Sequence, residues 1–262
     1  MTEQAAHSER ALDTIAAAKV SVPSFAELVE LRKSGLPLGY RGIHIYLRYA
    51  AVLEVLAQLP PIATVLNVGC GFGVFDRLLP ASWQLTGVDV SEHEIAVARE
   101  WASVHRPHWR YVVGAVESVP LTPHSFDLIV LSEVIEHIPS EALPAIFATI
   151  HKLLKPSGRL LVSVPNKWTW RNRCRSLFGM PLAVMDKTHL REYSLAEARS
   201  EISRFPFTTE VFKAAVAYFP LESYVRHLVP EQSGIRRWLV SLFPGTASHF
   251  IFLLSPRQGS EG

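Results

Sequence analysis

Val65-Leu66-Asn67-Val68-Gly69-Cys70-Gly71-Phe72-Gly73 decides the fold, together with the run Leu85-Thr86-Gly87-Val88 that follows it and ends on Asp89. A short apolar run that breaks into alternating glycines reads as a buried strand turning into a loop, because glycine alone accepts both positive φ and close backbone approach to a ligand. The second run puts the Asp89 carboxylate at the carboxyl edge of a neighbouring parallel strand, where a ribose diol can donate two hydrogen bonds to it. The expected ligand is flat, polar and adenosine-like.

Dinucleotides and S-adenosylmethionine both use this geometry, and the glycine spacing begins to separate them. A dinucleotide fingerprint G-x-G-x-x-G wants its third glycine at position 74, where this chain has Val74. Pyrophosphate needs a helix amino terminus packed close to the loop, whereas a methionine-bearing nucleoside does not. The spacing leans toward S-adenosylmethionine and leaves both cofactors open at this point, with a nicotinamide-dependent oxidoreductase as the rival enzyme.

At 262 residues the chain fits one α/β domain with a modest extension, and 48% apolar content is ample for its core. A formal charge of +2 provides no global basic face, which disfavours nucleic acid as a partner. Cys70 and Cys174 lie far apart without metal-ligand spacing, so neither a disulfide framework nor a zinc site is expected, and a reducing cytoplasm is. Met1 to Ser8 lack the apolar core of a signal peptide and no run approaches the length of a membrane span, so the chain reads as soluble. Peripheral membrane contact stays open, because Tyr218, Phe219, Tyr224, Trp238 and Phe243 lie beside Arg226, Arg236 and Arg237. The same residues also read as a hydrophobic cap over an active site.

Residues 9 to 34 read as helical, with Ser24 and Glu27 as a capping box and Gly35 as a terminator. Leu36 to Tyr46, carrying Tyr40, Arg41 and His44, then lead into a helix over roughly 45 to 58. From residue 63 strands and helices alternate, the pattern of a parallel sheet with crossover helices. Strands are expected near 63 to 68, 84 to 88, 110 to 113, 126 to 131 and 158 to 164, and later near 208 to 216 and 249 to 254. Helices are expected to open at Ser91 with Glu94, at Ser140 running toward Leu154, and at Ser194 with Glu197 after an irregular insert over 165 to 193. The expected organisation is a helical lid over 1 to 44, a nucleoside-binding core over 45 to 165, and a substrate-covering insert with the last strands of the same domain over 166 to 262.

Taken together, Val65 to Gly73, Gly87 to Asp89, Gly114 to Leu121, Ser125 to Val130 and Glu133 to Ile138 resemble the class I S-adenosylmethionine-dependent methyltransferases over about residues 45 to 165. Ser-Phe-Asp-Leu-Ile-Val-Leu-Ser-Glu-Val-Ile-Glu-His-Ile is similar to the branch that contains the ubiquinone-pathway O-methyltransferases and small-molecule tailoring enzymes. The resemblance implies a Rossmann-like, doubly wound α/β fold with a seven-stranded sheet whose last two strands form an antiparallel hairpin. It implies cofactor contacts from Gly69, Cys70, Gly71 and Gly73, ribose binding by Asp89, adenine packing by Val90 and an approach of Ser132 to the methionine end. Two departures stand out. Asn67 replaces the aspartate common in the first strand, and Gly114-Ala115-Val116-Glu117 replaces Gly-Asp-Ala-Glu, leaving adenine to backbone groups around Val116 or to Glu117. Losing one exposed hydrogen bond weakens cofactor binding by about 0.5 to 1.5 kcal/mol. Both departures give some support to a non-catalytic binding module as a third reading.

Methyl transfer to oxygen needs in-line placement of the nucleophile and removal of its proton, roles that suit histidine. His137, just past the fourth strand, and His189, in Asp186-Lys-Thr-His-Leu-Arg-Glu-Tyr193, are the candidate bases, each also readable as a packed histidine. If residues 133 to 137 form a helical turn, Glu133, Glu136 and His137 share one face. With His189 they resemble the metal site of the small-RNA 2′-O-methyltransferases, and the first three also resemble metal-binding residues of some ubiquinone-pathway enzymes. A divalent ion there would gather a vicinal diol and acidify one hydroxyl, which is the alternative to metal-free chemistry. The basic, aromatic stretch Asn166 to Ser176 suits a phosphate or a lipid headgroup, or a solvated rim. The expected acceptor is a small or lipid-linked molecule, covered by residues 36 to 46, 165 to 193 and 217 to 245.

Overall fold

The computed structural model describes residues 20–23, 27, 43–215 and 233–257. The helix expected over 9 to 34, its capping box at Ser24 and the segment 217 to 232 lie outside the described residues, apart from residues 20–23 and 27. Helix α1 (Ile43–Leu56) precedes β1 (Thr64–Val68), β2 (Gln84–Asp89), α2 (Glu92–His105), β3 (Arg110–Val113) and β4 (Phe126–Ser132). There follow α3 (Leu143–Leu153), β5 (Leu154–Pro165), α4 (Trp170–Leu177), α5 (Leu195–Ser203), β6 (Phe207–Ala215), α6 (Gly234–Leu242) and β7 (His249–Pro256).

The seven strands form one sheet in the order β3-β2-β1-β4-β5-β7-β6. Strands β1 to β5 pair in parallel, and β7 inserts antiparallel between β5 and β6. The antiparallel last pair matches the sequence expectation. Strand neighbours alternate between two cores, as a sheet covered on both faces requires. Leu128 and Val130 of β4 join one core with Tyr46, Leu53 and Trp83, whereas Ile129 and Leu131 join the other with Phe147, Phe250 and Phe252. Phe147 lies flat on Phe205 at 3.8 Å between ring centroids, locking α3 against the segment after α5.

Local signals set the helix starts unevenly. Ser194 and Glu197 form the complete capping box expected of them, while Ser91 accepts from the Glu94 amide. Ser140 does not cap α3. That helix starts beyond Ala142, two residues past Ser140, without a side-chain cap, and the Arg191 guanidinium donates to the Ser140 hydroxyl.

The chain passes from β1 through β2 to β3 on one side and then crosses to β4 on the other. A crevice opens at such a switch point, beyond the carboxyl ends of the strands. The glycine loop after β1, Asp89 at the end of β2, Ser132 at the end of β4 and Pro165 at the end of β5 all reach this edge. His249 joins them because β7 runs the opposite way, with His249 beside Pro165.

Candidate functional site

The glycine loop is built from backbone. Gly69 and Cys70 amides donate to the Val88 carbonyl at 2.8 and 3.2 Å, tying the loop to β2. Asp89 Oδ2 accepts from the Gly71 amide and Oδ1 from the Ser91 amide, both at 2.9 Å. Each carboxylate oxygen keeps a further lone pair for a ribose hydroxyl. Gly69, Gly71 and Gly73 have φ of 69°, 53° and 66°, the left-handed region that favours glycine. The three glycines have separate duties. A Cβ at Gly69 would meet Val134 at 2.6 Å, whereas one at Gly73 would meet the Tyr111 hydroxyl at 2.8 Å, so Gly73 serves packing under the loop.

Beneath the loop lies a buried acid that the sequence reading missed. Asp76 accepts from the Asn67 side chain at 2.7 Å and from the Tyr111 hydroxyl at 3.0 Å. Burial pushes its carboxyl up to about 6 despite these two bonds. Asn67 therefore belongs to a polar network in which the carboxylate has moved from β1 to the turn after it. The clue in the sequence is an acid set among Phe75, Leu78 and Leu79.

A cavity of about 740 Å³ opens at this edge. Gly69, Cys70 and Ser132 line it from the cofactor side, and His137 and His189 from the far side. Ile45, Arg48 and Tyr49 of α1 close one wall, and the insert closes another through Asn166, Thr169, Arg171, Asn172 and Ala183 to Asp186. Of the other residues expected to touch cofactor, Gly71, Gly73, Asp89, Val90, Val116 and Glu117 do not line this cavity. Val90 is 74% exposed beside Asp89, open to a stacking base, and Glu117 is exposed. Val116 is buried in the core with Val88 and Val119, so its side chain is packing and its backbone alone remains for adenine. The acceptor cover expected over 217 to 245 is corrected for its described part, because residues 233–245 do not line the cavity.

Glu133 sits at the centre of one wall with φ 58°, an uncommon conformation for a side chain other than glycine. The turn aims its carboxylate away from Glu136 and toward Arg48 Nη1 at 3.2 Å and His249 Nε2 at 3.4 Å. Ser163 donates to it at 2.9 Å and lies 2.9 Å from the Ser132 hydroxyl. Although burial opposes ionisation, His249 and Arg48 outweigh it and hold the Glu133 carboxyl at about 2. Arg48, Ser163 and His249 escaped the sequence reading. A single arginine within the apolar helix around Leu47 and the histidine heading the apolar run Phe250 to Leu254 were the available signals.

The expected grouping of Glu133 with Glu136, His137 and His189 is corrected by this turn. Glu136, His137 and His189 do come together, with one potential ligand atom from each within 4.8 Å of the others. The insert is zipped onto this segment. The Leu190 amide donates to the Glu136 carbonyl at 2.9 Å, and the Arg191 guanidinium donates to the Ile135 and Ile138 carbonyls. As a result the His137 and His189 rings meet edge to face at 4.8 Å. His189 Nδ1 faces Glu192 Oε1 at 3.1 Å and His137 Nδ1 faces the Thr188 carbonyl at 3.3 Å, which leaves both Nε2 atoms for other partners. Glu136 is fully buried, and neither carboxylate oxygen has a hydrogen-bond partner. Burial and the Glu133 charge push its carboxyl well above the usual range.

The basic insert is largely spent on its own architecture. Lys167 pairs with Glu197 at 2.6 Å, Arg173 donates to the Trp168 and Gly245 carbonyls, and Arg175 donates to the Pro181 carbonyl.

Residues 65–158 match a family model described as a methyltransferase domain. The ubiquinone biosynthesis O-methyltransferase of Pseudomonas paraeruginosa is 32% identical over 40% of this chain and 45% of its own length. That of Xylella fastidiosa is 29% identical over 70% of this chain and 69% of its own. The chain spans about half the length of most of the curated relatives it matches. Among solved structures, geranyl diphosphate C-methyltransferase from Streptomyces coelicolor A3(2) superposes with a TM-score of 0.54 at 15% identity, covering 80% of this chain and 75% of that one. With the glycine loop, Asp89 and the strand order, these matches show a methyltransferase domain over residues 65–158 in a chain that resembles the class I S-adenosylmethionine-dependent methyltransferases, the ubiquinone biosynthesis O-methyltransferases among them.

Proposed function

We propose that the chain methylates an oxygen of a small or lipid-like acceptor. The observation that carries this reading is one cavity with a nucleoside-type loop on one side and the paired imidazoles of His137 and His189 on the other. Bound S-adenosylmethionine supplies a methyl on a sulfonium, open to in-line displacement. Asp89 would hold the ribose, the Gly69–Cys70 backbone the sugar edge, and the buried Arg48 guanidinium the methionine carboxylate. His189, steadied through Nδ1 by Glu192, would take the acceptor hydroxyl proton on Nε2 as the new carbon–oxygen bond forms. The arrangement follows the logic of a histidine oriented by a carboxylate. The relatives being O-methyltransferases supports oxygen as the methylated atom.

The same reading takes a cytoplasmic setting, supported by Cys70 and Cys174 both being free thiols, and a lipid-like acceptor met at a membrane surface. No helix among the described residues is long and apolar enough to cross a membrane. Titration calorimetry with S-adenosylmethionine and with a nicotinamide dinucleotide tests the cofactor assignment. Binding of the first alone is expected, and binding of the second alone would return the oxidoreductase.

One observation favours a second, metal-assisted reading. A fully buried carboxyl with two unpartnered oxygens beside two imidazoles is a donor set that suits a divalent cation. Glu136, His137 and His189 would hold the ion, Glu133 would not, and the ion would supply acidification of an acceptor hydroxyl. Magnesium and zinc titrations of the cofactor-free protein separate the readings: heat in the wild type that vanishes in Glu136→Gln supports the ion, and none in either favours the imidazoles alone.

A further inference from the structure

We propose that a second cavity, behind α1 from the acceptor site, binds a small amphipathic anion: an apolar chain that ends in one carboxylate. This cavity holds about 690 Å³, a volume in the range of small-molecule pockets, and lies along β6, the edge strand of the sheet. No described residue lines both cavities. Helix α1 divides them, because its period of 3.6 puts Ile45, Arg48 and Tyr49 on one face and Leu47, Ala50, Ala51 and Glu54 on the opposite one. A molecule held in the second cavity therefore lies outside the site of methyl transfer and is a ligand rather than an acceptor.

The floor is apolar and made of small side chains. Leu47, Ala50 and Ala51 of α1 and Val240 of α6 are buried there, and Ala214 and Ala215 of β6 complete it. Four alanines on two facing elements leave the space that longer side chains would fill. An aliphatic ligand occupying that space removes apolar surface from water on both sides of the contact.

Charge selects an anion for the polar end. Four cations line the cavity, Arg199, Lys213, Arg236 and Arg237, against a single acid among the described residues, Glu54. Lys213 is committed to Glu54 at 2.5 Å, and Arg236 is buried among contacts of its own. Arg199 and Arg237 remain: both are exposed, and neither forms an ion pair with any acid. The Arg199 guanidinium stands 5.0 Å from the centre of the Phe212 ring, which fixes the charge beside the apolar floor. Two guanidiniums from separate helices, α5 and α6, over a floor of alanines match a carboxylate carried on an aliphatic chain. An inorganic anion would leave the floor unused, and a neutral chain would leave the arginines unused.

The test involves neither cofactor nor methyl transfer, so it stands or falls apart from the activity proposed above. The full chain is titrated calorimetrically with decanoate, decanol and acetate, each below any micelle concentration. Decanoate is expected to bind, with decanol and acetate each weaker by about tenfold or more, since each lacks one half of the match. Arg199→Gln/Arg237→Gln, on exposed side chains, is expected to bring decanoate down to the affinity of decanol. Ala50→Leu/Ala214→Leu, which fills the floor, is expected to weaken decanoate and decanol alike, and the arginine variant keeps the test open should this one misfold. Arg171→Gln, which removes an exposed cation from the first cavity, is expected to leave decanoate unchanged. Absence of decanoate binding to wild type, equal affinity in wild type and the arginine double variant, or weakening by Arg171→Gln in place of that variant would each overturn the proposal.

Discussion

At the ends of β1 and β2 the polar groups are satisfied by nearby backbone: Asp89 accepts two amides and the loop amides find Val88. Past the end of β4 they are satisfied by side chains from distant elements or not at all. Glu133 gathers Arg48, Ser163 and His249, while the Glu136 carboxyl oxygens have no hydrogen-bond partner. A backbone cradle is organised before any ligand arrives and suits a cofactor shared by many enzymes. A side-chain cluster assembled across the chain can be changed one residue at a time, and it stores the cost of a strained turn and a buried acid where the acceptor would sit. Variants on the two sides should therefore fail in different ways.

The largest effect is expected on the acceptor side in turnover. His189→Ala should lower kcat by about a hundredfold or more, the usual contribution of a positioned base, while S-adenosylmethionine affinity measured by calorimetry stays near wild type. Equal loss of both would move His189 to the cofactor side. Next comes Arg48→Met, which leaves the buried Glu133 with Ser163 and His249 alone and should cost about 3 to 5 kcal/mol in urea unfolding. The pH dependence carries a sign. Glu133 falls from an ordinary 4.5 to about 2 on folding, so it contributes stability above the ordinary value that is lost as pH falls toward 2. Arg48→Met should shrink that acid-side loss, which a pH series of unfolding midpoints reads directly.

On the cofactor side, Asp89→Ala should weaken S-adenosylmethionine by about 1.5 to 3 kcal/mol through lost charge-assisted bonds, with some loosening of the loop. Unchanged affinity would remove Asp89 from the ribose. The smallest effect is expected under the loop. Tyr111→Phe takes a donor from Asp76 and should cost about 1 to 3 kcal/mol of stability with little change in affinity. Asp76 runs opposite to Glu133: raised from 3.8 to about 6 on folding, it reduces stability as pH rises through that window, and Tyr111→Phe should steepen the decline. A flat profile from pH 4 to 7 in thermal denaturation would contradict the network.

This contrast also explains what could be read from sequence. The strand–loop–strand unit was legible because its signals are local: apolar runs, alternating glycines and an acid at a fixed spacing. Glu136, His137 and His189 were legible as a group through the resemblance, and only Glu133 does not join them. Placing Glu133 on the same face assumed helical spacing, and the turn at φ 58° breaks it. Arg48 and His249 reach Glu133 only through the packing of α1 and the reversal of β7, which no local pattern encodes. Ser140 reads as a helix cap by residue type, but the cap position falls two residues later, at Ala142, and the Ser140 oxygen accepts from Arg191, brought back by the insert. The continuous apolar run in β4 carries no face assignment of its own, and the strand pleat divides its residues between the two cores.

The central claim, methyl transfer from one cavity in which a backbone cradle faces a histidine pair, is tested most directly with labelled S-adenosylmethionine. Wild type and His189→Ala are incubated with host extract, which is then sorted into lipid, polar metabolite, protein and RNA pools. The expected result is label in the lipid or polar metabolite pool with wild type, strongly reduced with His189→Ala. No label in any pool while the cofactor still binds, or label confined to protein or RNA, would contradict the account.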